Sequence, residues 1–369
     1  MSTQWVAPAL QTWLASHAQS LHSSNEAADA VLPQLTQAGL THIGVPAKWG
    51  GAGGEARHAV EALSQVAEHS LTAAFVLWAQ RAFVDYLCVT DNPVAREAWL
   101  PGLLSGHTAG ATGLSNAMKF LSALEPLQVQ EHAAPQGERR VSGRLPWVTN
   151  LRSPHFTVAA AVQAEQAGSP PLVVTLDSQA AGVQRSADLD LLGLCGSNTA
   201  AITLSDVAVP LHGVLAVNGP AFLKRARPMF LSLQCGMSVG LVRAALRAAE
   251  QVGSARDVLR PRIAHAWELL EGLQATLGEG LESGRFEADA AALFQVRLQL
   301  AALVQEAIQL ELQGSGGRAY LRDQLPDFGR RLQESAFVPV VTPSLTQLQG
   351  ELQRQAQAAT AAAAPGVAA

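Results

Sequence analysis

Apolar positions recur at helical spacing through the first hundred residues, lose that spacing in the middle of the chain, and recover it from about residue 221. Asn25 to Ala38 predicts a helix with Ala28, Val31, Leu32 and Leu35 on one face, Asn25 as N-cap and Gly39 at its C-terminal end. The glycine-dense stretch Val45 to Gly54 reads as a loop. Helical periodicity resumes from Glu55 to Leu87 and again from Pro93 to Leu104. Between Thr108 and Val217 short apolar runs, Phe156 to Val162, Leu172 to Leu176 and Ala200 to Leu204, alternate with Gly, Pro and Asp/Ser turns, as antiparallel strands do. Long helical patterns then cover Met229 to Val252, Arg262 to Leu281 and Ala288 to Leu312, which predicts a helical bundle. The alanine-rich tail from Gln355 reads as low complexity with a frayed end.

The expectation is an α+β, mostly α, protein of 369 residues in three parts: helical 1–107, β-rich 108–217 and bundle 218–354, with a tail 355–369. Hydrophobic residues make up 48% and charged residues 15%, a balance that suggests surface covered by sister subunits. A net charge of -5 gives no basic stripe, so neither nucleic acid nor a membrane surface is an expected partner. Cys88, Cys195 and Cys235 are too few and too scattered for a disulfide framework or a paired metal site, and no His pair has zinc-ligand spacing. With no leader-like start and no uninterrupted apolar run of about 18 residues, a soluble cytoplasmic protein is expected.

Several short patterns carry candidate chemistry. Trp147-Val148-Thr149-Asn150 ends a strand-like segment that begins near Val141. Gly113-Leu114-Ser115-Asn116 opens the β-rich part soon after Leu100 to Gly106, and Asp188 to Thr199 is followed by Ile202 to Pro210. Gln313-Gly314-Ser315-Gly316-Gly317-Arg318-Ala319-Tyr320 closes a long helix, where glycines either let backbone approach a phosphate or simply cap the helix. With the order helices, β, helices, these patterns resemble the acyl-CoA dehydrogenase family, a flavoprotein superfamily that includes dibenzothiophene-type monooxygenases, over nearly the whole length.

The resemblance implies an N-terminal helical domain, a middle antiparallel β-barrel and a C-terminal four-helix-type bundle, with FAD, or FMN, as cofactor. It places Leu114, Ser115, Trp147, Val148 and Thr149 against the flavin: Trp147 as an apolar wall, Thr149 near N5, Ser115 at the ring edge. It places Gln313, Gly316 and Gly317 at the cofactor diphosphate, commonly across a subunit interface, in a homodimer or homotetramer. Val45 to Gly54 resembles the family's glycine-rich turn, read as structural. Trp78, Gln80 and Arg81, on a helix from Leu71 to Leu87, either line a substrate cavity or belong to the core.

One element of the family pattern is missing. Removing an α-proton from an acyl thioester needs a carboxylate base facing the substrate. The family's two base positions fall here on Pro343 and Phe230, and neither accepts a proton. The cross-subunit arginine segment is unrecognisable too; Arg256, Arg260 and Arg262 lie nearby at altered spacing, either as substitutes or as solvated helix charges. The resemblance therefore implies an FAD-dependent oxidoreductase acting on an acyl thioester, possible as acyl-CoA, or a related small molecule, with the base unidentified. The alternatives are a flavin monooxygenase, which needs no such base, and a catalytically silent subunit of a hetero-oligomer.

Overall fold

The computed structural model describes residues 3–115, 117, 120, 125–133, 138–251 and 256–363. The chain opens with helices α1 (Pro8–Ser23), α2 (Ala28–Gln37), α3 (Ala56–Ala67), α4 (Leu71–Val89) and α5 (Pro93–Ser105). The periodicity from Glu55 to Leu87 is carried by two helices, the second beginning at the expected Leu71. Ser70 is extended at φ -153 and accepts a hydrogen bond from the Ala73 N–H, which caps α4 and breaks the run. α4 is buried on nearly every face. α2 starts three residues after the expected cap, behind Ala27 and without a side-chain cap, while the Asn25 amide nitrogen donates to Asp188.

The middle region holds two four-stranded sheets, where the expectation was one closed antiparallel barrel. One has the order β1 (Ala109–Thr112), β4 (Phe156–Val162), β5 (Leu172–Asp177), β8 (Val214–Ala216). The other has β2 (Val129–Ala133), β3 (Arg139–Val148), β7 (Ala200–Val209), β6 (Val183–Asp188). Closure is not seen among the described residues, and β1 pairs with β4 in parallel, Ala109 opposite Phe156. That pairing follows from connectivity: β2 and β3 form their hairpin in the other sheet before the chain returns as β4. Every residue of β4 is buried, which accounts for its unbroken apolar run.

The C-terminal part comprises α6 (Gly219–Glu250), α7 (Arg256–Glu282), α8 (Ala290–Ser315), α9 (Pro326–Phe337) and α10 (Leu345–Ala363). α6 begins ten residues before the predicted Met229, because Asn218 caps it by accepting from the Ala221 N–H. α10 runs through the alanine-rich stretch expected to fray, in keeping with the high helix propensity of alanine. The bundle recruits the N-terminal domain: α6 packs against α3 and α4 as well as α7 and α8. α6 is long and apolar enough to cross a membrane, yet 83% of its apolar window is buried within the protein.

α3 and α6 approach closely at Gly240, where a Cβ would lie 2.2 Å from the Ser64 carbonyl oxygen and 2.6 Å from the Ala67 Cβ. Gly240→Ala should therefore force the helices apart and lower stability by about 3 kcal/mol, measured by denaturant unfolding. Gly272→Ala, where nothing lies within 4 Å, serves as the control and should not destabilise.

Candidate functional site

A cavity of about 510 Å³ opens between the ends of β1 and β3, the loop 191–199, and helices α4, α6 and α9. On the sheet side it is lined by Thr112, Gly113, Ser115, Trp147, Thr149 and Thr199. Phe75 and Trp78 of α4, Phe230 of α6, and Phe337, Val341 and Thr342 at the end of α9 and beyond form the helical side. The mouth is apolar and exposed: Trp147 is 60%, Val340 63% and Leu192 84% accessible. Three predicted residues, Ser115, Trp147 and Thr149, thus share one wall, opposite Phe230 and next to the residue that precedes Pro343.

The wall is held by a polar knot. Asn150, with φ 66 in the left-handed region, donates from its amide to the Gln80 Oε1 and the Gly110 carbonyl, both at 2.9 Å. Gln80 also accepts from the Gly110 N–H at 2.6 Å and donates to the carbonyls of Leu103 and Thr108 at 2.7 and 3.1 Å. Gln80 is therefore a core connector rather than a cavity residue. Trp78 is both, buried yet lining the cavity, its ring N–H donating to the Phe230 carbonyl. Arg81 is core: it donates to the Thr41 carbonyl at 2.7 Å and pairs with Asp85, whose carboxyl burial pushes up to about 6 against the pull of Arg81.

A chain of hydroxyls runs behind the wall, Ser197 to Thr199 at 2.7 Å and Thr199 to Thr149 at 3.0 Å. If each donates in the order Ser197, Thr199, Thr149, the Thr149 proton is left for whatever occupies the cavity. The Thr112 hydroxyl is engaged by Tyr86 at 2.9 Å; burial raises the Tyr86 phenol, which stays protonated. Gly193 has no Cβ for a reason of contact: one would sit 2.3 Å from the His22 ring.

The segment 338–342 on the helical side is pinned from behind. Arg297, fully buried, donates to the Gln234 Oε1 and the Val338 carbonyl, both at 3.1 Å, and Gln234 donates to the Thr342 carbonyl at 2.8 Å. Burial pulls the Arg297 guanidinium down from its usual range, and the neighbouring Cys235 thiol, pushed up to about 12 by burial, stays protonated.

Other predicted residues lie elsewhere. Leu114 and Val148 are buried in the core beside the wall and do not line the cavity. Gln313, Gly316 and Gly317 lie at the end of α8, outside the cavity lining. There Arg262 donates to the Gln313 Oε1 at 3.0 Å and pairs with Glu306 at 2.6 Å, while Arg260 pairs with Asp257. Val45 to Gly54 is a structural turn closed by Gly44 N–H to the Gly53 carbonyl and Gly53 N–H to the Val45 carbonyl, both 2.8 Å. Asn116 lies outside the described residues.

Glu125 and Gln333 line the cavity and were not singled out from sequence; a lone Glu and a helical Gln carry no spacing signal. A larger hollow, about 850 Å³, lies between α3 and α7, where Arg57 pairs with Glu282 at 2.7 Å and Arg243 with Glu61 at 2.9 Å. None of the motif residues reaches it, so the smaller cavity is the candidate site. No group of His, Cys, Asp and Glu suited to a metal ion occurs among the described residues.

Residues 2–107 match the acyl-CoA dehydrogenase N-terminal domain. Mitochondrial isovaleryl-CoA dehydrogenase of Bos taurus is 25% identical over 283 residues, which cover 74% of this chain and 66% of that protein. The chain therefore spans about two thirds of the length of that curated relative. Among solved structures, FkbI for biosynthesis of a methoxymalonyl extender unit superposes with a TM-score of 0.78 at 19% identity, over 95% of this chain and 98% of that one. Dibenzothiophene monooxygenase TdsC from Paenibacillus sp. A11-2 gives 0.72 at 16%, over 93% and 94%. At such identities the structures show a shared fold.

The knot at Asn150 makes a direct prediction. Asn150→Ala should cost about 3 kcal/mol, because it removes two buried hydrogen bonds and strains a left-handed residue, while Asn150→Gly should cost about 1 kcal/mol less. Denaturant unfolding of both variants gives the difference, which isolates the backbone contribution.

Proposed function

We propose that this chain, a relative of the acyl-CoA dehydrogenases with their fold, binds a flavin in the 510 Å³ cavity and uses it to oxidise or reduce a small, largely apolar molecule. The observation that carries the reading is the meeting of Ser115, Trp147 and Thr149, from separate stretches of sequence, on one wall opposite Phe230 and Thr342. The residues fit a flavin. The volume falls within the range of about 300–1,000 Å³ usual for small-molecule sites. The exposed Trp147 ring is available to stack, the Ser115 hydroxyl has no hydrogen bond among the described residues, and the hydroxyl chain can direct the Thr149 proton inward.

The flavin, FAD in the first instance and FMN in the second, would supply acceptance and delivery of a hydride or electrons. The protein's part is to exclude water with Phe75, Trp78, Phe230 and Phe337 and to orient the reactants. In this proposal the substrate is an acyl thioester, such as an acyl-CoA, or a related small molecule. Gln313, Gly316 and Gly317 are too far around the molecule to line this cavity, so they would serve the cofactor of a neighbouring copy in a homodimer or homotetramer. A cytoplasmic location completes the proposal.

A second reading, a flavin monooxygenase, is favoured by one observation. Phe230 lines the cavity and Pro343 follows the lining Thr342, so neither family base position supplies a proton acceptor, and chemistry with oxygen requires none there. Among the described lining residues, Glu125 alone is ionisable. If dehydrogenation is the reaction, Glu125→Gln should lower the rate of anaerobic flavin bleaching by acyl-CoA about a hundredfold or more. If oxygen is a reactant, acyl-CoA causes no bleaching, and reduced flavin with oxygen is turned over equally by Glu125→Gln and the parent protein.

Cofactor binding is measured by visible absorption of the purified protein, before and after addition of FAD or FMN. Stoichiometric uptake is expected, with Trp147→Ala about tenfold weaker through loss of ring stacking. A folded oligomer that takes up neither flavin would sink the proposal and leave a silent subunit of a hetero-oligomer as the reading.

A further inference from the structure

Gln333 on α9 lines the cavity through a contact that begins in α1. The His22 Nε2 lies 2.6 Å from the Gln333 Oε1, and His22 is only 2% exposed. Its other ring nitrogen, Nδ1, is buried with no partner. A buried N–H without an acceptor is rarer and costlier than a bare acceptor, so the proton belongs on Nε2 and is donated to the Gln333 oxygen. The ring is clamped against Gly193, where even a Cβ would lie 2.3 Å away, so it cannot turn aside. With its oxygen held by His22, the Gln333 amide nitrogen carries no hydrogen bond among the described residues, on a side chain that is exposed to solvent and lines the cavity.

The other polar groups of the lining differ. Thr112, Thr149 and Thr199 already exchange hydrogen bonds with hydroxyl neighbours, and the Trp78 N–H is taken by the Phe230 carbonyl. Ser115 and Thr342 keep hydroxyls that rotate to suit either a donor or an acceptor. Gln333 adds, on the helical side, an amide donor oriented by a buried partner, as the hydroxyl chain orients Thr149 on the sheet side. No Lys, Arg or His lines the cavity among the described residues, so a negatively charged group would enter unpaired.

We propose that Gln333 is a specificity-determining residue that donates a hydrogen bond to a neutral carbonyl-type acceptor on the substrate, and that His22 is the positioning residue that fixes the direction of that donor. The inference rests on the cavity being the reaction site, as proposed above; it names the part of the substrate that enters the cavity as an uncharged, apolar group bearing a ketone, amide or thioester oxygen.

The test compares two probes of nearly the same shape, para-fluoroacetophenone and para-fluoroethylbenzene, by fluorine NMR titration of the full-length protein. The quantity read is the ratio of their affinities, so that the differing hydration of the probes cancels between variants. In Gln333→Leu the ratio should shift about fivefold toward the hydrocarbon, the worth of one hydrogen bond. His22→Leu should shift it in the same direction by less, and His22→Gln, which keeps a donor near the Nε2 position, should restore it. A merely structural role for His22 would weaken both probes equally. Should Gln333→Leu not fold, the isosteric Gln333→Glu removes the donor and should move the ratio the same way.

An unchanged ratio in the Gln333 variant, an equal loss for both probes, or no saturable binding of either would overturn the inference. The titration is run on the protein as purified and after addition of FAD. Visible absorption reports cofactor uptake separately, so failure to bind flavin and failure of the Gln333 contact are told apart.

Discussion

The candidate site depends on the side chain of Gln80 being fully satisfied in a place water does not reach. Its oxygen accepts from Gly110 and Asn150, and its nitrogen donates to Leu103 and Thr108, so α4, the end of α5, β1 and the turn after β3 meet at one amide. A buried amide left without partners would be strongly unfavourable; with all of them it specifies how these four segments register. The cavity wall inherits that register. Trp147 and Thr149 lie within three residues of Asn150, and Thr112 lies two residues beyond Gly110.

Seen against that knot, what the chain disclosed in advance divides by physical cause. β4 was recognisable because burial on both faces leaves an unbroken apolar run, and α5 because Asn92 and Pro93 mark its start. The start of α4 at Leu71 was legible too, although the helix is buried all round and its cap is a single serine. Two sheets with a parallel pair lay beyond reach, because strand pairing is set by contacts distant in sequence rather than by local pattern. In the candidate site, Ser115, Trp147 and Thr149, singled out through the family pattern, line the cavity, whereas Gln333 lines it without having been singled out. Its importance is conferred by His22 and Gly193, and no spacing rule relates these positions.

The cavity is built from parts that can vary separately. The wall that resembles a flavin platform is built from the β-domain and fastened by Gln80, whereas Phe230 is on α6 and Pro343 follows α9. These are held independently, the latter by Arg297 through Gln234 and the Val338 carbonyl. Phe230 and Pro343 can therefore occupy their places without disturbing the opposite wall. Phe230 also packs edge-on against Trp78, at 5.1 Å between ring centroids, and so takes a share in the core.

The contact between His22 and Gln333 spans 311 positions of the chain. During synthesis α1 leaves the ribosome long before α9, so this corner of the cavity cannot close until the more than three hundred residues between them have emerged. Until then the apolar surfaces of α4 and the sheet end, including the lips that remain exposed once the cavity is built, are without their cover. A site assembled from segments so distant in sequence thus turns the order of translation into a period of vulnerability to aggregation, one that a rearranged chain order would change without altering a single contact.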